Sequence, residues 1–497
     1  MKYTSTRDDA KRLTAAQAIH KGISPDGGLF LPTELPALDQ GFLQRLCGMD
    51  YRGRAVEVLS LFLDDYTREE LADCVEAAYG GERFEDGNPA PLAKVSETDY
   101  FLELWHGPTC AFKDMALQLL PKLLPLAVAK TGCAKETVIL VATSGDTGKA
   151  ALEGFRDVEG ARIMVFYPQE GVSPMQKRQM TTQQGSNVQV TGIRGNFDDA
   201  QTGVKAIFGD RDFAARLDKG GYVLSSANSI NWGRLVPQIV YYISAYCDLV
   251  ADGEIGMGER VNFCVPTGNF GNILAAYYAK KMGLPVGRLI CASNSNNVLT
   301  DFIRTGRYDR NREFYTTLSP SMDILISSNL ERLLFDICGR DAGRIRALME
   351  SLRDTGAFAL DEEERQILQK EFFGAFSSDE ATRNAIRRVF ESCSYLCDTH
   401  TAVAVDAVAQ YRAVTGDRTR TVVVSTASPY KFAGSVLEAL GQGVLPEDDF
   451  AKAEQLEKLT GVPVPGPILA LREAAPRFRD CCATGEMEAA VAAFLNL

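Results

Sequence analysis

Thr137-Val138-Ile139-Leu140-Val141-Ala142-Thr143-Ser144-Gly145-Asp146-Thr147-Gly148 decides how this chain folds. Its first six residues are a short β-branched run, and a helical pattern follows over 149–155. A strand that breaks into a glycine- and hydroxyl-rich turn and then a helix is the repeating unit of a parallel sheet. The unit recurs where Val261-Asn262-Phe263-Cys264-Val265 runs into Pro266-Thr267-Gly268-Asn269-Phe270-Gly271-Asn272 and a helical 273–282. It recurs again where Thr421-Val422-Val423-Val424 leads into Ser425-Thr426-Ala427-Ser428-Pro429. Further strands are expected over 161–167, 187–191, 221–225 and 289–292. The fold class is therefore α/β, with doubly wound, mainly parallel sheets.

Working outward, residues 1–95 read as an amino-terminal, mostly helical domain, closed by the Pro-rich hinge Asn88-Pro89-Ala90-Pro91-Leu92. Residues 96–300 form the ligand-binding α/β core, with a smaller mobile subdomain at about 137–225. Residues 301–395 read as helical decoration, and 396–497 return to the core and end in helices.

With 497 residues, 45% hydrophobic and 24% charged, the composition is that of a large globular protein with a sizeable core. A net charge of -12 argues against a nucleic-acid backbone or an anionic membrane as partner. No window has the apolar length of a membrane span; the best, 117–128, is broken by Pro121, Lys122 and Pro125. The twelve cysteines are scattered, without a Cys-x-x-Cys pair. With no signal-peptide pattern, they predict reduced thiols and a cytoplasmic protein. A monomer or small homo-oligomer is expected, a choice the sequence does not make. Cys393, Cys397, Asp398 and His400 have no familiar metal-ligand spacing, so no metal site is expected.

One lysine is out of place. In Trp105-His106-Gly107-Pro108-Thr109-Cys110-Ala111-Phe112-Lys113-Asp114, Lys113 follows a Gly-Pro turn at the start of an apolar helix. Desolvation there would disfavour its charge and leave a nucleophilic amine suited to a Schiff base. The plain alternative is a lysine that lays its stem on apolar surface and keeps its head in water.

Open α/β sheets bind ligands at the carboxyl ends of their strands, and three polar loops lie at such ends. Gly268, Asn269, Phe270, Gly271 and Asn272 precede a helix whose free N–H groups suit a phosphate, although a merely tight turn would look the same. The loop 143–148 has that layout with added hydroxyls, or is an ordinary helix cap. Thr426 ends the last strong strand and offers a neutral hydroxyl. A buried lysine for an aldehyde, a nest for a phosphate and a hydroxyl for a pyridine nitrogen suit pyridoxal 5'-phosphate. A neutral partner for that nitrogen favours elimination and replacement at the β and γ carbons over transamination.

At this point the chain resembles the threonine synthase family of fold-type-II pyridoxal-phosphate enzymes, nearly end to end. The resemblance is carried by Ser24-Pro25-Asp26-Gly27-Gly28-Leu29-Phe30, the Lys113 motif, the loops 143–148 and 266–272, and Asn228-Ser229-Ile230-Asn231-Trp232-Gly233-Arg234. Residues 319–330 and Ser425-Thr426-Ala427-Ser428-Pro429-Tyr430-Lys431-Phe432 extend it. Ser428 and Thr399 depart from residues found in some relatives.

The resemblance implies that Lys113 anchors the cofactor and then serves as base, that residues 268–272 hold its phosphate, and that Thr426 faces its ring nitrogen. It implies O-phospho-L-homoserine as substrate, with γ-elimination of phosphate and hydration to L-threonine. Ser144, Gly145, Asp146 and Thr147 are the expected substrate contacts beside the ring. Asn228, Asn231 and Arg234 are expected at the substrate phosphate, with Lys149 and Lys177 as further cations. Competing readings are a phospho-lyase or dehydratase of the same fold and, from another class, a non-catalytic phosphate-binding regulator.

Overall fold

The computed structural model of the 497-residue chain describes every residue except Ser144, Glu170 and Gly171, and all of Asp198 but its side chain. Two parallel sheets dominate. The larger has six strands in the order Phe372–Phe376, Val286–Ser293, Val261–Pro266, Thr421–Ser425, Asp99–Glu103, Leu92–Lys94, and only the last is antiparallel to its neighbour. The smaller has five parallel strands in the order Cys481–Cys482, Val188–Ile193, Ala161–Pro168, Glu136–Ala142, Tyr222–Ser225.

Every residue of Val261–Pro266 and Thr421–Ser425 is buried. Helices cover both faces of such strands, which is why their sequences read as unbroken apolar runs rather than alternating ones. The long helix Trp232–Ala251 joins the lobes and is buried along most of its length.

The amino-terminal region packs on that helix through Gln40–Cys47 and Tyr51–Phe62. Beside these helices it also carries a three-stranded antiparallel sheet, with Tyr3–Ser5 between Asp8–Leu13 and Phe30–Pro32, which the sequence reading did not include. Tyr3–Ser5 and Phe30–Pro32 are three residues each, too short an alternation to register in sequence, and Asp8–Leu13 is a largely polar, partly exposed edge strand. Leu92–Lys94, assigned to the same region, belongs to the larger sheet.

The 301–395 segment is not only decoration. Phe372–Phe376 forms the edge of the larger sheet, parallel to Val286–Ser293. Gly374 fits there because a Cβ would come within 3.1 Å of the Thr300 backbone. The carboxy-terminal region likewise leaves the larger lobe: Cys481–Cys482 adds to the smaller sheet, and Met487–Leu495 packs on helix Phe197–Gly209 of that lobe. Among the described residues, no helix is long and apolar enough to cross a membrane, and no cluster of metal-ligating side chains occurs.

Candidate active site

Four strand ends converge between the two sheets. The turn after Asp99–Glu103 carries Lys113. Its position is fixed by Asp114, whose buried carboxylate accepts from the Thr109 N–H at 2.8 Å and the Thr109 hydroxyl at 2.7 Å. A side chain at Gly107 would strike that carboxylate, and Cys110 takes a left-handed φ of 56° to complete the turn. The turn is stapled to the neighbouring strand end: Phe112 N–H donates to the Thr426 carbonyl at 2.8 Å and Ser428 N–H to the Cys110 carbonyl at 3.1 Å. Lys113 and Thr426 are thus held in fixed relation by backbone bonds.

The turn after Val261–Pro266 has a different logic. Gly268 lies so close to residues 321–322 that a Cβ would be 2.8 Å from the Ser321 carbonyl oxygen. Phe270 is left-handed, with φ 61°, and turns the chain sharply into helix Gly271–Met282. That helix starts without a side-chain cap, leaving its first N–H groups for a ligand. Asn272 accepts from the Tyr241 and Tyr242 hydroxyls through Oδ1, while its buried Nδ2 has no partner among the described residues. A donor left unmade in a protein interior is costly unless a ligand takes it. The uncapped helix start and this amide fit a phosphate group.

After Glu136–Ala142, the Thr143 hydroxyl oxygen accepts from the N–H groups of Gly145 at 3.0 Å and Gly148 at 2.9 Å. Gly145 adopts φ 147°, and a Cβ would lie 2.5 Å from Gln176. Its N–H is therefore spent inside the loop, and Gly145 does not line the cavity, contrary to expectation. Ser144 lies outside the described residues. Asp146 and Thr147 do reach the cavity.

One cavity of about 310 Å³ gathers Lys113, Asp146, Thr147, Asn228, Arg234, the whole of 268–272 and Thr426. Residues 320–324 and His400 close one side, and Phe197, Gln201, Val204 and Lys205 line another. Asn231 is the clear miss. Its amide caps helix Trp232–Ala251 at the Gly233 N–H and donates to the Ile19 and Ser226 carbonyls, which fully occupies it. Lys149 and Lys177 also stay out: Lys149 pairs with Glu153 and Gln183, and Lys177 lies over the Tyr167 ring. The additional lysine at the cavity is Lys205, on a helix face the sequence did not single out.

Charge is unevenly matched. Burial pushes the Lys113 amine down to about 8, countered by Asp146 and reinforced by Arg234 and Lys431. Burial alone would raise the Asp146 carboxyl, yet Lys431 and Lys113 hold it well below the ordinary range. Asp146 forms a buried ion pair with Lys431 at 2.7 Å and accepts from Gln176 at 2.8 Å. Arg234 is buried; it donates to the Ala227 carbonyl at 2.6 Å, and among the described residues it has no carboxylate partner and its Nε has no partner at all. Burial lowers its pKa to about 10. His400 donates from Nδ1 to Asp398 at 2.7 Å and accepts the Ser321 N–H at 3.2 Å, tying the 320–324 segment to the larger lobe.

A lysine kept short of its charge, a phosphate cradle at a helix start and a hydroxyl between parallel strand ends define a fold-type-II pyridoxal-phosphate-dependent enzyme, and residues 88–427 match the model of pyridoxal-phosphate dependent enzymes. The flanks match the threonine synthase N terminus over 2–79 and the threonine synthase C-terminal model over 401–464. The chain belongs to the threonine synthase family. It is 40% identical over 466 residues to threonine synthase of Pseudomonas aeruginosa, covering 93% of this chain and 96% of that one. It is 42% identical over 436 residues to human Threonine synthase-like 1, covering 86% of this chain and 58% of that protein. The chain thus spans about three fifths of the length of those longer relatives. The solved structure of PLP-bound threonine synthase from Brucella melitensis matches with a TM-score of 0.88 at 37% identity, covering all of both chains. The cofactor of this family is pyridoxal 5'-phosphate.

Proposed function

We propose that the protein converts O-phospho-L-homoserine and water to L-threonine and inorganic phosphate. The observation that carries this reading is Arg234, a buried guanidinium without a carboxylate partner among the described residues, in the same cavity as a separate phosphate cradle. A buried unpaired cation is costly, and a ligand anion is the natural way to balance it. The cavity thus offers two anion seats, one for the cofactor's phosphate and one for a phosphorylated substrate.

In this reading Lys113 anchors the cofactor, residues 268–272 hold its phosphate and Thr426 meets its ring nitrogen. When bound, the cofactor supplies an electron sink that stabilises negative charge at the substrate's α carbon. The Lys113 amine would take and return the α proton, and burial, which brings it down to about 8, moves it toward the range where one group can do both. Arg234 and Asn228 grip the substrate phosphate, where a guanidinium fork matches the geometry and stabilises the departing dianion. Thr147 and the Asp146 N–H contact the substrate carboxylate. Asp146's own carboxylate, paired with Lys431, is not an anion seat.

The test is product analysis with the cofactor-loaded chain. Equal amounts of threonine and phosphate are expected. Phosphate with 2-oxobutyrate and no threonine would make it a phospho-lyase, and no turnover without a visible cofactor band would leave a phosphate-binding protein.

A further inference from the structure

Lys431 is the buried charge that neither the sequence nor the reaction explains. It lies in the single helical turn Pro429–Phe432, just beyond strand Thr421–Ser425 of the larger sheet. Its ammonium donates to the Thr109 carbonyl at 2.9 Å, inside the turn that carries Lys113. It also pairs with Asp146 at 2.7 Å, and Asp146 starts helix Asp146–Phe155 of the smaller lobe. The two side chains are 0% and 3% exposed. This pair therefore ties together three strand-end loops from both lobes, right beside the cofactor lysine.

A buried ion pair is a poor source of stability, because desolvating two charges offsets most of their attraction. Its effect on a third charge is direct. The charged groups facing Lys113 are Asp146, Arg234, Lys431 and Asp114, and Asp323, Lys205 and His400 line the same cavity. Asp146 favours a protonated Lys113, while Lys431 opposes that and also engages the Asp146 carboxylate. We propose that Lys431, through its buried ion pair with Asp146, is a positioning residue that holds the Asp146 charge off the Lys113 amine and so raises the fraction of that amine free of its proton. Without Lys431, Asp146 would turn its whole charge on Lys113 and hold it as an idle ammonium.

This rests on Lys113 being the cofactor lysine, and the experiment separates the two. The full chain, before and after cofactor loading, is acetylated competitively across pH and Lys113 is read by peptide mass spectrometry. Protection of Lys113 on loading tests its role as anchor. In the unloaded chain at pH 7, Lys431→Met should lower Lys113 reactivity about tenfold, and Asp146→Asn should raise it about fivefold, since one pKa unit is a tenfold change in free amine. Lys431→Arg, which keeps the cation, should stay within about twofold of the parent, the limit set by an equal charge in nearly the same place. Each single loss strands a buried charge, so the double variant Lys431→Met with Asp146→Asn guards against a folding defect. Its reactivity should lie between those of the two single variants. Opposite shifts of the two single variants support the proposal. Shifts in the same direction, no shift, or a double variant outside the range of the two single variants would overturn it.

Discussion

Replacing Arg234 by methionine should make the protein more stable and a far worse catalyst. Burial lowers the guanidinium's pKa from 12.5 to about 10, which corresponds to about 3 kcal/mol of unrelieved desolvation. Methionine is unbranched, fills much of the same volume and carries no charge. The loss of the bond to the Ala227 carbonyl offsets about 1 kcal/mol of the relief. The cofactor-free variant should therefore gain about 1–2 kcal/mol in urea unfolding. In the loaded enzyme the same change removes a charge-assisted contact to the substrate phosphate. That is worth about 3 kcal/mol, or roughly a hundredfold in kcat/KM. Inorganic phosphate should stabilise the parent in proportion to its occupancy and leave the variant unmoved. A variant less stable than the parent, with kcat/KM within about threefold, would refute this reasoning and make Arg234 a structural residue.

Lys113→Ala should abolish the visible cofactor band and lower kcat by at least about a thousandfold, as loss of a covalent anchor and base together implies; absorbance and single-turnover assays check both. Asn272→Asp keeps the acceptor for Tyr241 and Tyr242 but swaps the unpartnered Nδ2 for an oxygen facing the cofactor phosphate. It should fold, and its cofactor Kd should rise about a hundredfold, since losing a donor and adding a like charge cost roughly 3 kcal/mol; a Kd within threefold would move the phosphate elsewhere. Burial depresses the Lys113 amine to about 8, so its free fraction falls with every step below pH 8. Stopped-flow cofactor loading should accordingly slow about tenfold between pH 7 and pH 6 and level off above pH 8 to 9. A rate flat across that range would mean the amine is already free.

The parallel sheets were legible because their strands are buried on both faces and so write themselves as Val141-like β-branched runs ending in glycine and hydroxyl turns. That Lys113, 268–272 and Thr426 line one cavity was legible for the same reason: strand ends are where such folds place ligands. What failed shares a cause. Asn231 stands directly before an apolar helix, and a capping role satisfies all the chemistry that made it look like a ligand. Arg234, three residues on, lies on the inner face of that same helix, a distinction that only tertiary packing draws. Lys431 was quoted as part of a motif without a role, because its partner Asp146 is distant in sequence and belongs to the other lobe. Phe372–Phe376 and Cys481–Cys482 were missed because their pairing partners, not their own patterns, make them strands.

The central claim is that this cavity breaks a carbon–oxygen bond and then adds water one carbon away. Turnover of O-phospho-L-homoserine in H₂¹⁸O, read by mass spectrometry of both products, tests it most directly. One ¹⁸O is expected in the threonine hydroxyl and none in the phosphate. Solvent oxygen in the phosphate with release of homoserine, or phosphate accompanied by 2-oxobutyrate alone, would contradict it.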